Sequence, residues 1–207
     1  MKLYTHPMSS NARKVVIAAQ LLDIAVDLEL VDLTKGAQRR PEYLAINPNG
    51  KVPVLDDAGF VLWESDAILQ YLAARRPGNA LFPEEARARA DVARWQFWSL
   101  AHWLPAVQIL VFERMFKPML QMGEPDPVEI GKGEERFHRF AGVLDGCLRG
   151  REYLVGNALT FADISVAVHL MYAQGAQLPL ENYPQIRRWF LQIQALPAWK
   201  KTAPPAA

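Results

Sequence analysis

The N-terminal part of the chain alternates in a way the remainder does not. Lys2–Thr5 is a short run with strand character, and Val26, Leu28 and Leu30 alternate with Asp27 and Glu29 as a half-buried strand does. Val52–Leu55 and Phe60–Trp63 flank Asp56–Asp57–Ala58–Gly59, which reads as a hairpin with a Gly-containing turn. Elsewhere in this part the period becomes helical. Asn11–Leu22 sets Val15, Ala18, Ala19 and Leu22 on one stripe, and Ala67, Ile68, Tyr71 and Leu72 do the same after Ser65. The order β-α-β, loop, β-β-α makes the first two strands a parallel pair joined through a helix, with an antiparallel hairpin added. A small mixed sheet with helices against it is expected.

Arg75–Arg76–Pro77–Gly78–Asn79 carries stop signals, so residues 77–87 read as a linker between a first domain, 1–76, and a second, 88–207. The second shows no strand. Arg87–Arg114 reads as a long helix with Val92, Trp95, Leu100, Trp103 and Val107 among its apolar positions, and Pro105 is expected to kink it or break one hydrogen bond. Lys117–Val128, with three prolines and a glycine, reads as a loop. Further helices are expected at Glu129–Leu148, at Phe161–Gln174 (apolar on most sides, hence central) and at Tyr183–Gln194. The tail from Lys200 to Ala207 is expected to fray. The fold class is α/β plus all-α: a βαβ-ββα domain followed by a helical bundle.

Composition narrows the function more than the fold. With 207 residues, 51% hydrophobic and 22% charged, the chain is long enough and apolar enough for a sizeable core, which sets aside disordered and fibrous readings. A formal net charge of +1 provides no long-range field for a polyanion, so nucleic acid is not an expected partner. Cys147 is the single cysteine, which excludes a disulfide framework and a Cys-rich metal site. Lying between Leu144 and Leu148, it is expected to be buried and inert. No apolar run reaches the length of about 18 residues that a membrane helix needs, and the N-terminus lacks the apolar core of a secretory signal. Neither a membrane nor a metal is expected, and the expected location is the cytoplasm.

Three segments can carry chemistry. Tyr4–Arg13, YTHPMSSNAR, joins the first strand to the first helix and puts Ser9, Ser10 and Asn11 at a helix start, where orphan N–H groups and the helix dipole favour an anion. One of the three could simply cap the helix; alternatively, a hydroxyl donates a hydrogen bond to a bound thiolate. His6 lies beside this turn, where it can shape the backbone. In Asn47–Leu55, NPNGKVPVL, Pro53 stands between strand-like valines. A cis Val52–Pro53 bond accounts for it and would turn the Val52 backbone outward to meet a peptide-like ligand; an edge-strand proline without a ligand is the plainer reading. Glu64–Ser65–Asp66 opens the next helix, with Ser65 and free N–H groups suited to a carboxylate and Glu64 to an ammonium, or again merely a cap. Taken together, the three describe a cleft for a small thiol peptide with free amine and carboxylate. The G-x-S-x-G elbow of serine hydrolases is absent.

With these motifs in view the chain resembles the cytosolic glutathione transferases over nearly its whole length, with the serine arrangement of theta-, phi- and delta-like members. NPNGKVPVL and WESDAILQYLA at Trp63–Ala73 resemble the family's glutathione-binding motifs, and LVGNALTFADISVA at Leu154–Ala167 its core-helix start, where Thr160 and Asp163 form a capping box. The resemblance implies a thioredoxin-like first domain, glutathione as co-substrate, and conjugation of its thiolate to a small hydrophobic electrophile. It implies Ser9 as the serine facing the thiol, Ser10 as runner-up and Asn11 assisting from the same turn; Tyr4 is read as support. Lys51 would meet the glycine carboxylate, Val52 beside Pro53 the cysteinyl backbone, and Glu64 and Ser65 the γ-glutamyl end, with Gln38 or Arg39 near the glycine end. Asp163 is assigned to folding. The second substrate would sit between the domains, with His102, Trp103, Ala106, Leu110, Phe112, Phe116 and Trp199 as candidates for its wall, though each could as readily be core. A homodimer is implied, with Trp63, the helix after Ser65 and part of Arg89–Trp98 facing the partner. Glutathione-dependent dehalogenation, isomerisation or peroxide reduction begins from the same thiolate, and a non-catalytic binding or regulatory relative is the other alternative. The absence of a cysteine beside Ser9 and Ser10 disfavours disulfide exchange.

Overall fold

A computed structural model describes residues 1–204. The Pro205–Ala207 end of the tail expected to fray lies outside them. The chain divides into two compact units, Met1–Pro83 with the described part of Ala195–Ala207, and Glu84–Gln194.

In the first unit, β1 (Lys2–Thr5), α1 (Ser10–Leu21) and β2 (Asp27–Leu30) form the expected βαβ element with a parallel strand pair. A short α2 (Pro41–Leu44) precedes β3 (Val54–Asp57), β4 (Phe60–Trp63) and α3 (Ser65–Ala74). The strand order is β2-β1-β3-β4, with β1–β3 and β3–β4 antiparallel. Strand β3 begins two residues later than the valine pattern predicts. The Val52–Pro53 peptide is cis, as expected, and Pro53, which cannot donate to a ladder, stands just before the paired residues.

Alternation assigns the two faces of the sheet. Leu3 and Leu55 are paired and fully buried on one face. Tyr4 and Val54, one residue along, gather on the other with Val31, Tyr43, Ile46 and Val52. Helices α1 and α3 pack against each other and are left to cover the first face, to which they bring buried Val15, Ala18, Ala19, Ile68, Leu69 and Leu72. Between them lies a charge pair: Lys14 Nζ reaches Asp66 Oδ2 at 2.9 Å, with the lysine side chain 0% and the aspartate 8% exposed. An ammonium so deep is tolerable only beside a counter-charge.

The last helix, α10 (Pro197–Lys201), groups with the first unit rather than with the bundle in which the sequence reading leaves it. The reason is Arg13, which donates to the Trp199 carbonyl at 2.8 Å and to Thr202 Oγ1 at 3.3 Å while its guanidinium lies 4.1 Å from the Trp199 ring centre.

The second unit is helical. The long helix expected over Arg87–Arg114 runs as α4 (Ala86–Trp98), a π-helical run Ser99–Trp103, α5 (Leu104–Val111), a second π-helical run Phe112–Phe116 and α6 (Lys117–Met119). Each π run ends two residues before a proline, Pro105 and Pro118. A proline has no N–H to donate and its ring crowds the carbonyl four residues back. Bonds from Leu104 N–H to the Ser99 carbonyl and from Lys117 N–H to that of Phe112 widen the turn instead of breaking it. The segment read as a loop from Lys117 therefore begins as helix.

Helix α7 (Pro127–Cys147) is capped by Asp126. Cys147, at its end, is exposed, contrary to expectation. It is one residue short of the buried stripe of Leu144 and Leu148 and so points to solvent. Helix α8 (Phe161–Ala167) is wholly buried and gives way to a 3-10 run over Val168–Tyr172, short of the uniform helix to Gln174 that apolarity suggests. Helix α9 (Pro184–Ala195) completes the unit. At the start of α8 the expected capping box is present. Asp163 Oδ1 accepts from Leu154 N–H and Trp189 Nε1, both at 2.9 Å, and Oδ2 from Thr160 N–H and Oγ1. Burial pushes its carboxyl pKa up, and these donors pull the other way.

Two stability predictions follow from the buried charges. Asp66→Asn strands the Lys14 ammonium and is expected to cost about 3–5 kcal/mol in urea unfolding, whereas Lys14→Met with Asp66→Leu recovers most of it. Asp163→Ala leaves four donors facing an apolar gap and is expected to lower stability by about 3–5 kcal/mol, read as an earlier urea midpoint.

Candidate functional site

Strand pairing brings the three candidate segments to one end of the sheet. Tyr4 stands opposite Val54, and Val54 opposite Trp63. Because both pairs are antiparallel, the chain leaving β1, the chain entering β3 and the chain leaving β4 all emerge at that end. His6–Asn11, Lys51–Pro53 and Glu64–Ser65 are these segments.

Ser9 is the N-cap of α1, with Oγ accepting from Ala12 N–H at 3.2 Å and its carbonyl from Arg13 N–H at 2.9 Å. A hydroxyl has two acceptor lone pairs and one donor proton. The cap uses a lone pair and leaves the proton, so capping and donation to a thiolate coexist in one residue. Ser10 is the first residue within the helix. The Asn11 side chain points across to α3, where Ser65 Oγ donates to its Oδ1 at 3.5 Å. Asn11 thus joins the two helix starts.

The Lys51 carbonyl accepts from Tyr43 Oη at 2.8 Å and from Asn47 Nδ2 at 2.7 Å. Burial raises the Tyr43 pKa, so the phenol stays protonated and remains a donor. Asn47 is 2% exposed, and its Oδ1 also accepts from Asn49 N–H and Nδ2, both at 3.0 Å. With the loop held at Lys51, the next peptide stays open: Val52 carries no backbone hydrogen bond among the described residues. Lys51 itself is exposed and half-buried Gln38 sits above the same loop, where its carbonyl lies 3.1 Å from where a Cβ on Gly50 would be. Only glycine fits at that distance with φ +60°. Gln38 Oε1 is buried without a partner among the described residues, an acceptor available to a ligand.

Glu64 is exposed and adopts φ 72°, ψ 112°, a left-handed-side conformation rare outside glycine. It makes no side-chain cap to α3, a helix start whose N–H end favours an anion. Ser65 is buried behind it.

The remaining candidates separate. Tyr4 packs edge-on against Tyr43, ring centres 6.0 Å apart, within the cluster on the sheet's other face. Among the proposed wall residues, Trp103, Ala106 and Leu110 are fully buried, with Trp103 Nε1 donating to the Val166 carbonyl, so they are core of the second unit. Trp199 is covered beneath Arg13. His102 is exposed and stacks on Phe140, while Phe112 and Phe116 are half-buried. Reading the sequence by motif passes over Tyr43, Asn47 and Lys14, which touch the site through what they hold. Asn47 had a signal, as the first residue of NPNGK, an Asx-turn pattern; a lysine in a helix interior had none.

The family model described as "Glutathione S-transferase, N-terminal domain" matches residues 1–74, and "Glutathione S-transferase, C-terminal domain" matches 84–191. Among curated relatives, Glutathione S-transferase 3 of Zea mays is 35% identical over 210 residues, covering 98% of this chain and 92% of its own. Glutathione S-transferase hmp2 of Hypomyces subiculosus is 33% identical over 214 residues, covering 100% and 99%. A solved structure of glutathione S-transferase-I bound with the ligand lactoylglutathione superposes with a TM-score of 0.87 at 25% identity, covering 98% of this chain and 97% of that one. Matched in both parts and along its full length, the chain belongs to the glutathione S-transferase family.

Proposed function

We propose that this enzyme, for which glutathione is the co-substrate, binds it along the end of the sheet described above and that the Ser9 hydroxyl donates to its sulfur. The observation that carries the assignment is the N-cap geometry: Ser9 Oγ spends an acceptor lone pair on Ala12 N–H and keeps its proton for an anion at the start of α1. Ser10 and Asn11 support the turn. The open Val52 peptide beside Pro53 pairs with the cysteinyl backbone, as an added strand does. Lys51 and Gln38 take the glycine end, and the Ser65 backbone N–H at the start of α3 takes the γ-glutamyl carboxylate, leaving Glu64 for its ammonium.

An unperturbed thiol has a pKa of about 8.5, and lowering it by two units requires about 2.7 kcal/mol of preference for the thiolate. One hydrogen bond to a charged acceptor supplies about 1.5–3 kcal/mol and a helix N-terminus about 0.3–1 more. The thiolate then attacks an electrophilic carbon of a small hydrophobic second substrate, forming the C–S bond as the leaving group departs or the ring opens. Two further parts of the proposal rest on family likeness. One is a homodimer through the exposed Trp63 on β4, the helix after it, and the Arg89–Trp98 stretch. The other is placement in the cytoplasm. No helix among the described residues is long and apolar enough to cross a membrane.

Ser9→Ala is expected to raise the pKa of the bound thiol by about 1–2 units and to lower kcat/KM about 10–100-fold at neutral pH, read by thiolate absorbance titration and steady-state conjugation kinetics. Ser9→Gly, which costs the helix cap only a few tenths of a kcal/mol, is expected to give the same shift, and Ser10→Ala a much smaller one. A thiol pKa unmoved in both Ser9 variants would sink the assignment. Lys51→Ala is expected to raise the KM for glutathione by roughly 3–10-fold with kcat nearly unchanged, since an exposed carboxylate contact binds ground and transition states alike.

A further inference from the structure

We propose that His6 is a positioning residue for the serine turn, gripping the two consecutive N–H groups of Met8 and Ser9 and so setting the direction of the Ser9 hydroxyl. This rests on the reading of Ser9 as the thiolate's partner.

The geometry is local and two-handed. The His6 carbonyl accepts from Ser9 N–H at 2.9 Å, and its ring Nδ1 accepts from Met8 N–H at 3.3 Å. Pro7, between them, has no N–H to offer and a fixed φ. Every backbone donor of the turn from His6 to Ser9 that follows the proline is therefore held by one residue. The other end is anchored equally well. Val31 N–H donates to the Thr5 carbonyl at 2.9 Å, and the Ser9 carbonyl and Oγ are taken by Arg13 and Ala12. The Ser9 hydroxyl proton is the group left uncommitted.

An Nδ1 that accepts must carry no proton, so the ring is the neutral tautomer with hydrogen on Nε2. Its surroundings favour this form. The residue is 9% exposed, and burial lowers its pKa from the ordinary 6.5. Arg13 and Lys201 line the cavity that His6 also lines, and a third cation is unwelcome there. Asp32 pulls the other way. It is held ionised, with a pKa of about 2, chiefly by the Thr34 hydroxyl and then by Lys35.

The test measures the thiol pKa of bound glutathione and the kinetic constants in His6→Asn, His6→Leu and His6→Gln, each alone and in a Ser9→Ala background. Asparagine carries an acceptor oxygen on Cγ, where Nδ1 is in histidine, and is expected to hold the thiol pKa within about 0.3 unit of the parent. Leucine has no acceptor and is expected to raise it by about 0.5–1 unit, a loss of about 3–10-fold in kcat/KM with the KM for glutathione within about two-fold. Glutamine, a polar side chain with its acceptor one bond too far, is expected to follow leucine, and stands in for it if leucine fails to fold. In the Ser9→Ala background none of the three should shift the thiol further. An unmoved thiol pKa in His6→Leu or His6→Gln overturns the role of His6 alone. So does asparagine behaving as leucine, or a full additional shift on top of Ser9→Ala. An unmoved thiol pKa in Ser9→Ala itself overturns both readings.

Discussion

The buried pair of Lys14 and Asp66 constrains the rest of the first unit. A lysine ammonium removed from water has few places to go, and its charged partner Asp66 lies on α3. The pair therefore fixes how α1 and α3 are rotated and slid against each other, whatever it adds to net stability. Ser65, the residue before Asp66, donates to Asn11, one turn before Lys14 on α1, and repeats the link with neutral groups. Two helix starts held in this way keep the Ser9 turn and the Glu64–Ser65 turn in a fixed relation, which a ligand contacting both requires.

Around that frame one economy recurs: structural bonds consume the acceptors and leave a donor or an open peptide for chemistry. Ser9 caps α1 through a lone pair and retains its proton. The Lys51 carbonyl is saturated by Tyr43 and Asn47, and the adjoining Val52 carries no backbone hydrogen bond among the described residues. The start of α3, which the Glu64 side chain does not cap, follows the same logic. Such groups are costly when nothing binds and useful when a peptide-like anion does.

The second unit shows how far buried chemistry can be purely structural. Asp163 has a perturbed carboxyl and four donors, yet its partners Leu154, Thr160 and Trp189 are backbone, cap and core. All of its acceptor capacity is spent on folding a helix that is buried on every side. The π-helical runs before Pro105 and Pro118 make a similar point: a proline that ought to break a helix is absorbed when wider turns can carry the remaining bonds.

Much of this was legible along the chain because the forces involved are local. The helical stripe of Asn11–Leu22 reported burial directly, and the β-α-β order imposed a parallel pair. Alternation in Val26–Leu30 marked a strand but not the half-burial expected of it, because β2 is an edge strand whose Leu28 and Leu30 are exposed. NPNGKVPVL and the serines of YTHPMSSNAR carried the candidate site, since caps, turns and proline isomers depend on neighbours a few residues apart. What the order of residues left open was decided by contacts between distant segments. Lys14 looks like any surface lysine until Asp66, 52 residues away, is brought beneath it. Trp199 belongs with Arg13 across 186 residues, and Cys147 faces solvent because the rotation of α7 was set by its partners in the core. Local periodicity can say that a side chain is apolar or charged; which neighbour satisfies it is a property of packing, and only the folded chain resolves that.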